Sequence, residues 1–136
     1  MIQAYKGDLT AIPMSTFAFV GDAVYELGIR RFLLERRVMT SGALHHICVK
    51  LVRASFQSAF ARALQSKLEG DEAEIFRRGR NANPGTPAKH ADPIDYRYAT
   101  ALEALFGYLY LQGKTERIVE LLKAVFDFAI AADIIS

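Results

Sequence analysis

Two acidic residues, Asp22 and Glu103, lie in segments whose neighbouring residues are mostly apolar. Asp22 directly follows Gly21, and the apolar residues around it recur at helical spacing. Because a carboxylate is costly to remove from water unless a cation neutralises it, we expect a basic side chain or a metal ion beside Asp22. The candidate basic partners are Arg30, Arg31 and Arg97. Glu103 alone is typical of a partly exposed helix residue, and it can meet Asp22 only through the fold.

A basic run at residues 77–81 is the main candidate for contacting a nucleic acid. Arginine presents a planar fork to phosphate oxygens, and asparagine can bond the 2′-hydroxyls that distinguish RNA from DNA. The candidate RNA-binding residues are Arg77, Arg78, Arg80, Asn81, Lys89, His90 and Arg97. A run of charges is as often a solvated surface, and the residues alone leave both interpretations open.

Other arrangements of reactive residues are less specific. His45, His46 and Cys48 have zinc-binding side chains, but their spacing matches no complete zinc site, so we favour polar packing. The sequence has no nucleophile elbow and no glycine-rich phosphate loop, although a Ser-His-Asp arrangement stays open. The single cysteine agrees with a reducing compartment.

Hydrophobic periodicity predicts an all-α fold. We expect helices from Pro13, Ser15 or Thr16 to about Arg37, from Thr40 to Leu64, from Asp71 to the basic run, from Asp95 or a neighbour to Gly113, and from Thr115 onward. Hydroxyl caps are expected near Ser15 and at Thr40 and Thr115, and a capping box at Asp71 and Glu74, with Gly70 ending the helix before it. A glycine within the first helix, Gly21, indicates close approach by another backbone or a second chain. Residues 83–93 predict a long loop, either functional or disordered.

Composition predicts one domain over residues 1–136. The chain is 51% hydrophobic, which suffices for one sizeable core. Its net charge is only +2, but residues 1–90 carry thirteen Lys and Arg against eight Asp and Glu, and the remainder carries four against seven. Any basic surface should therefore come from the first part of the chain. Without a membrane-spanning apolar run or a leader pattern, we expect a cytoplasmic protein.

Two short motifs resemble the ribonuclease III family. Gly-Asp-Ala-Val at residues 21–24, with an acid at Glu26, is similar to the signature helix of these domains. Leu-Glu-Ala-Leu-Phe-Gly at residues 102–107 is similar to their second acidic helix. With residues 77–82 and 95–100, the pattern resembles the short branch called Mini-ribonuclease III over nearly the whole chain.

This resemblance implies a helical homodimer with the ribonuclease III catalytic fold and no double-stranded-RNA-binding domain. It implies an endoribonuclease that cleaves double-stranded RNA with Mg²⁺, for which Mn²⁺ can substitute, and it gives Asp22 and Glu103 both the catalytic and the metal-binding role. It further suggests maturation of the large-subunit (23S) ribosomal RNA precursor in the cytoplasm, and it allows a ribosomal protein partner.

The chain departs from the family at two of four acidic positions. The family places acids four residues before the signature aspartate and three residues before the second glutamate, and here those positions are Ala18 and Thr100. One interpretation is a reduced site that holds one Mg²⁺ firmly while water or the RNA phosphate completes its ligand shell. The alternative is a non-catalytic, dimeric RNA-binding or ribosome-associated scaffold with a degenerate site.

Overall fold

The structure, a computed structural model, describes residues 3–82 and 92–136, and these ranges contain helices but no β-strand. A 3₁₀ turn at Leu9–Ala11 precedes helices α1 (Met14–Arg36), α2 (Ser41–Val52), α3 (Ala54–Gln65), α4 (Gly70–Asn81), α5 (Pro93–Leu111) and α6 (Thr115–Ala131). The all-α prediction is confirmed. Within the described ranges, no helix is both long and apolar enough to cross a membrane.

Helix α5 is the centre of the fold, since α1, α3, α4 and α6 all pack against it. Its sequence is apolar on most sides, with Leu102, Leu105, Phe106 and Leu109 fully buried. A helix that is hydrophobic on most of its faces is stable in water only when neighbouring elements bury those faces.

Helices α1 and α5 cross with their backbones almost touching. A Cβ atom on Gly21 would overlap the carbonyl oxygen of Glu103, and one on Gly107 would overlap the carbonyl oxygen of Phe17. Only glycine fits at both positions, and the backbone approach predicted at Gly21 is confirmed. The crossing places residue 103 directly beside the helical turn that carries Asp22.

One predicted helix, Thr40 to Leu64, is in fact two. Arg53 has an extended backbone (φ −70°, ψ 148°) and ends α2. The bend lets α2 bury Cys48 and Leu51, while α3 turns to pack Phe60 against Phe128 of α6. The single-helix prediction was wrong because the apolar spacing continues across the bend. Hydrophobic periodicity does not reveal a helix break that involves a single residue.

Helix caps follow the predictions only in part. The Thr40 hydroxyl caps α2 by accepting from the Ala43 amide at 3.2 Å, as expected. Helix α5 starts earlier than predicted, because the Asp92 carboxylate accepts from two amides of its first turn. The capping box at Asp71 and Glu74 does not form, and Gly70 (φ 56°) begins α4 instead of ending the preceding helix. The first residues of α1 and α6 likewise lack the expected hydroxyl caps.

Candidate active site

The structure brings Asp22 and Glu103 together. Asp22 projects from the exposed side of α1, and Glu103 projects from α5 at the glycine crossing. Their two carboxyl groups lie within hydrogen-bonding reach of each other. Two acids separated by 81 positions in the sequence (103 minus 22) therefore form one pair.

Burial and the neighbouring acid both raise the pKa of Glu103. Loss of solvent, followed by the hydrogen bond to Asp22 and its negative charge, raises the pKa of Glu103 to about 9. The side-chain amide of Gln57, on α3, opposes this rise by hydrogen bonding to the carboxylate. At neutral pH the Glu103 carboxyl of the metal-free chain therefore keeps its proton, which a bound cation would displace.

The pair opens into a cleft of about 280 Å³. Its lining residues are Ser15, Ala18, Phe19, Asp22, Ala82, Tyr96, Thr100 and Glu103. The positions at which the family carries further acids, Ala18 and Thr100, both line this cleft. The departure seen in the sequence therefore falls within the site itself.

The donor set fits Mg²⁺. Two carboxylates and the hydroxyls of Ser15 and Thr100 face one open cleft, and Mg²⁺ prefers oxygen ligands while keeping several of its waters. Among the described residues no cluster of three acidic, histidine or cysteine side chains is suited to hold a metal. The arrangement therefore suits an ion held by two protein carboxylates and water.

Arginine pairing does not account for Asp22. Arg30 pairs with Glu26 at 3.4 Å, and Arg31 pairs with Glu35 at 2.9 Å. Across the ranges that the structure describes, no ion pair includes Asp22. The basic partner that the sequence suggested for Asp22 is therefore not found among the described residues.

A basic groove adjoins the acidic cleft. It has a volume of about 390 Å³ and is lined by Pro13, Met14, Ser15, Arg77, Arg78, Asn81 and Ala82. Ser15 and Ala82 line both cavities, so the two form one continuous surface. A polyanion lying in the groove would pass directly into the acidic cleft.

The predicted RNA-binding residues have different surroundings. Arg77 pairs with Glu74 at 2.7 Å, and Arg80 donates to the Gln65 amide oxygen at 2.6 Å. Arg78 is exposed and has no hydrogen bond or ion pair to any residue in the described ranges. Of the run, Arg78 is therefore the side chain best placed to receive a ligand. Asn81 lies beside it on the groove, exposed, with its Oδ1 accepting from Arg80 Nε at 3.3 Å and its amide nitrogen facing no partner among the described residues.

Of the remaining predicted contacts, Arg97 is in the described ranges and does not line the groove. Arg97 is exposed on α5, but its neighbour Tyr96 lines the cleft instead. Lys89 and His90 lie outside the described residues. Sequence reasoning also missed Gln57, whose only signal was a polar residue within the buried pattern of α3.

Comparisons with known proteins agree with this architecture. The ribonuclease III domain family matches residues 15–114. Mini-ribonuclease 3 of Symbiobacterium thermophilum is 43% identical over 117 residues, which cover 86% of this chain and 90% of that relative. Mini-ribonuclease 3 of Brevibacillus brevis is 42% identical over 125 residues, covering 89% of this chain and 93% of the relative.

Structural comparison gives the same result. A crystal structure of a Fusobacterium nucleatum protein superposes with a TM-score of 0.78 at 29% identity, over 90% of this chain and 98% of that chain. Fold, family match and full-length relatives coincide, so the chain belongs to the ribonuclease III family of endoribonucleases, in its Mini-ribonuclease 3 branch.

Proposed function

We propose that this endoribonuclease cleaves double-stranded RNA with a Mg²⁺ ion held by Asp22 and Glu103. The observation that carries the proposal is the meeting of two carboxylates, from α1 and α5, in an open cleft that continues into a basic groove. The oxygen donors suit a hard divalent cation, and the groove suits a phosphate backbone. Mn²⁺, which accepts similar ligands, is expected to substitute.

Each side chain then has a distinct task. After losing its proton, Glu103 would hold the cation at the cleft together with Asp22. When bound, Mg²⁺ supplies an activated water and neutralises charge on the phosphodiester. Arg78 and Asn81 hold the adjoining backbone in the groove, Arg78 by its charge and Asn81 by hydrogen bonds to phosphate or ribose oxygens.

The active form in this proposal is a homodimer across α1. Phe19, Leu27 and Leu34 lie on one side of α1 and are 79%, 68% and 48% exposed. An apolar stripe of this kind is typical of an unfilled protein interface. Phe19 also lines the cleft, so a second protomer on this face would lie beside the catalytic acids.

The natural substrate in this proposal is a duplex in the large-subunit (23S) ribosomal RNA precursor, cleaved in the cytoplasm. The support is family membership, together with a groove that offers backbone contacts rather than a pocket for a single base. A ribosomal protein that presents the RNA is a compatible partner. Cleavage of a transcript with the paired 23S flanks, compared with an unrelated duplex of equal length, tests this assignment.

The central test is cleavage of a long RNA duplex by the purified chain with Mg²⁺. Asp22→Asn and Glu103→Gln should each lower the rate at least about 100-fold, because each removes a direct metal ligand. RNA binding, measured by filter retention in Ca²⁺, should be retained.

Glu26→Gln is the matched control. This acid lies one turn beyond Asp22 on the same helix and pairs with Arg30 instead of lining the cleft. The Glu26→Gln variant should cut duplex RNA at the normal rate. If the unmodified chain binds duplex RNA but cuts it neither in Mg²⁺ nor in Mn²⁺, the remaining interpretation is a non-catalytic RNA-binding scaffold.

A further inference from the structure

Gln57 is an unusual residue for the middle of a helical core. Two polar side chains are buried within the described ranges, Gln57 at 3% exposure and its neighbour Ser58 at 1%. A buried amide is costly unless its hydrogen-bonding groups find partners. Gln57 lies on α3, which packs against α5, and its side-chain amide is within hydrogen-bonding reach of the Glu103 carboxylate.

Ser58 behaves differently although it is equally buried. Its hydroxyl has no hydrogen-bond partner in the part of the chain that the structure describes. Of these two adjacent buried side chains, one therefore contacts the site and the other does not. Burial on α3 alone cannot explain why Gln57 meets Glu103.

Glu103 has two polar neighbours on opposite helices. Asp22 of α1 lies beside it in the lining of the cleft, and the buried Gln57 of α3 is within hydrogen-bonding reach of it from the interior. A carboxylate fixed by a buried donor loses little rotational freedom when it binds a cation, and such outer partners orient metal ligands in proteins.

We propose that Gln57 is a positioning residue, whose side-chain amide holds the Glu103 carboxylate in the orientation that binds the divalent cation. This inference rests on the proposed function, since it assigns Gln57 a task only if Glu103 is a metal ligand. It adds a third helix, α3, to the two that supply the acids.

The test measures metal binding directly, without RNA. Gln57→Leu removes the amide and keeps most of the volume, and Ser58→Ala is the matched control on the same buried turn. Mn²⁺ binding, followed by the paramagnetic resonance signal of free Mn²⁺, should weaken about 10-fold in Gln57→Leu. It should be unchanged in Ser58→Ala.

A double variant separates positioning from packing. In Glu103→Gln the carboxylate is already absent, so adding Gln57→Leu should weaken Mn²⁺ binding no further. Equal Mn²⁺ affinity in Gln57→Leu and the unmodified chain overturns the inference while leaving the proposed function intact. Failure of the unmodified chain to bind Mn²⁺ or cut duplex RNA overturns both.

A measurement on the unmodified chain covers the case in which Gln57→Leu does not fold. The side-chain amide resonance of Gln57 should shift as Mg²⁺ is added, and this shift should disappear in Asp22→Asn. A Gln57 resonance that stays in place while Mg²⁺ binds overturns the inference.

Discussion

At the scale of single residues, the site combines one exposed acid, Asp22, with one half-buried acid, Glu103. Asp22 was recognisable in the sequence because it follows a glycine within an apolar helix, and Glu103 because its segment resembles a family motif. Their meeting was not predictable from spacing, because it depends on how two distant helices cross. Gln57 was missed for the same reason: periodicity assigns a residue to a helix face but does not name the side chain opposite it.

The proton held by Glu103 gives the metal-free protein a defined pH dependence. Its pKa is about 9 in the folded chain against an ordinary 4.5, so between these values the folded state binds a proton that the unfolded state has released. The free energy of unfolding should therefore fall as pH rises through this window. Urea unfolding in EDTA at pH 5.5, 7 and 8.5 measures the slope.

The difference between variants isolates this contribution from other titrating groups. Glu103→Gln cannot release a proton, so its stability should exceed that of the unmodified chain increasingly toward pH 8.5. Glu26→Gln should follow the unmodified chain. Parallel pH profiles for the unmodified chain and Glu103→Gln would show that Glu103 keeps an ordinary pKa.

The basic run illustrates how far charge alone predicts binding. Seven residues were predicted to contact RNA, but Arg77 and Arg80 are already engaged with Glu74 and Gln65. Sequence could not distinguish them from Arg78, because the partners depend on where α4 lies against its neighbours. The engaged arginines stabilise α4 and its packing, and Arg78 remains for the ligand.

Arg78→Ala should therefore weaken duplex-RNA binding about equally for all sequences. Loss of one phosphate contact should also reduce the slope of log affinity against log salt by about 1. Fluorescence anisotropy between 50 and 200 mM KCl measures both quantities. Arg31→Ala, which removes an exposed arginine far along α1, is the control, and an equal loss there would indicate general charge attraction instead.

At the scale of helices, the crossing of α1 and α5 is the feature that forms the site. The sequence predicted both helices and a close approach at Gly21, but it could not name the opposing residue. The break at Arg53 was not predictable, because apolar residues continue at helical spacing on both sides of it. Yet this break is what turns α3 so that Gln57 reaches the acids.

Glycine-to-alanine substitutions should change the stability by amounts that depend on which atoms the added methyl group contacts. In Gly21→Ala it meets the rigid backbone of α5, and the cost should be about 3 kcal/mol or more, because neither helix can yield locally. In Gly28→Ala, on the same helix, it meets a methyl of the Leu122 side chain at 2.6 Å, which can move aside. Gly42→Ala meets nothing within 4 Å and should be neutral or stabilising.

Thermal and urea unfolding of the three variants measure this order. Equal stabilities for Gly21→Ala and Gly28→Ala would mean that the helices separate more easily than their backbone contact indicates. If Gly21→Ala folds, its Mn²⁺ affinity should also fall, because separating the helices moves Glu103 away from Asp22.

At the scale of the whole molecule, one protomer presents an acidic cleft, a basic groove and an apolar stripe on adjoining surfaces. Ser15 joins the cleft to the groove, and Phe19 joins the cleft to the stripe. The sequence indicated two of these properties separately, as two acids in apolar segments and a charged run. Their adjacency comes from the packing of α1 on α5 and its contact with α4, which the sequence pattern did not reveal.

The apolar stripe leads to a prediction about assembly. Leu27→Glu places a charge in the stripe without touching the cleft, so it should convert a dimer into monomers, measured by light scattering after gel filtration. Val119→Glu introduces the same charge at a residue of α6 that is 51% exposed and outside the stripe, and it should remain dimeric. The Leu27→Glu monomer keeps its two acids and should bind Mn²⁺ normally.

Its products should differ from those of the dimer. Two sites related by two-fold symmetry can each address one strand of a duplex, whereas a single site can address only one strand at a time. A duplex labelled on both strands should therefore be cut through by the unmodified chain and mainly nicked, more slowly, by Leu27→Glu. If Leu27→Glu stays dimeric and cuts both strands together, the protomers associate through a surface other than the α1 stripe.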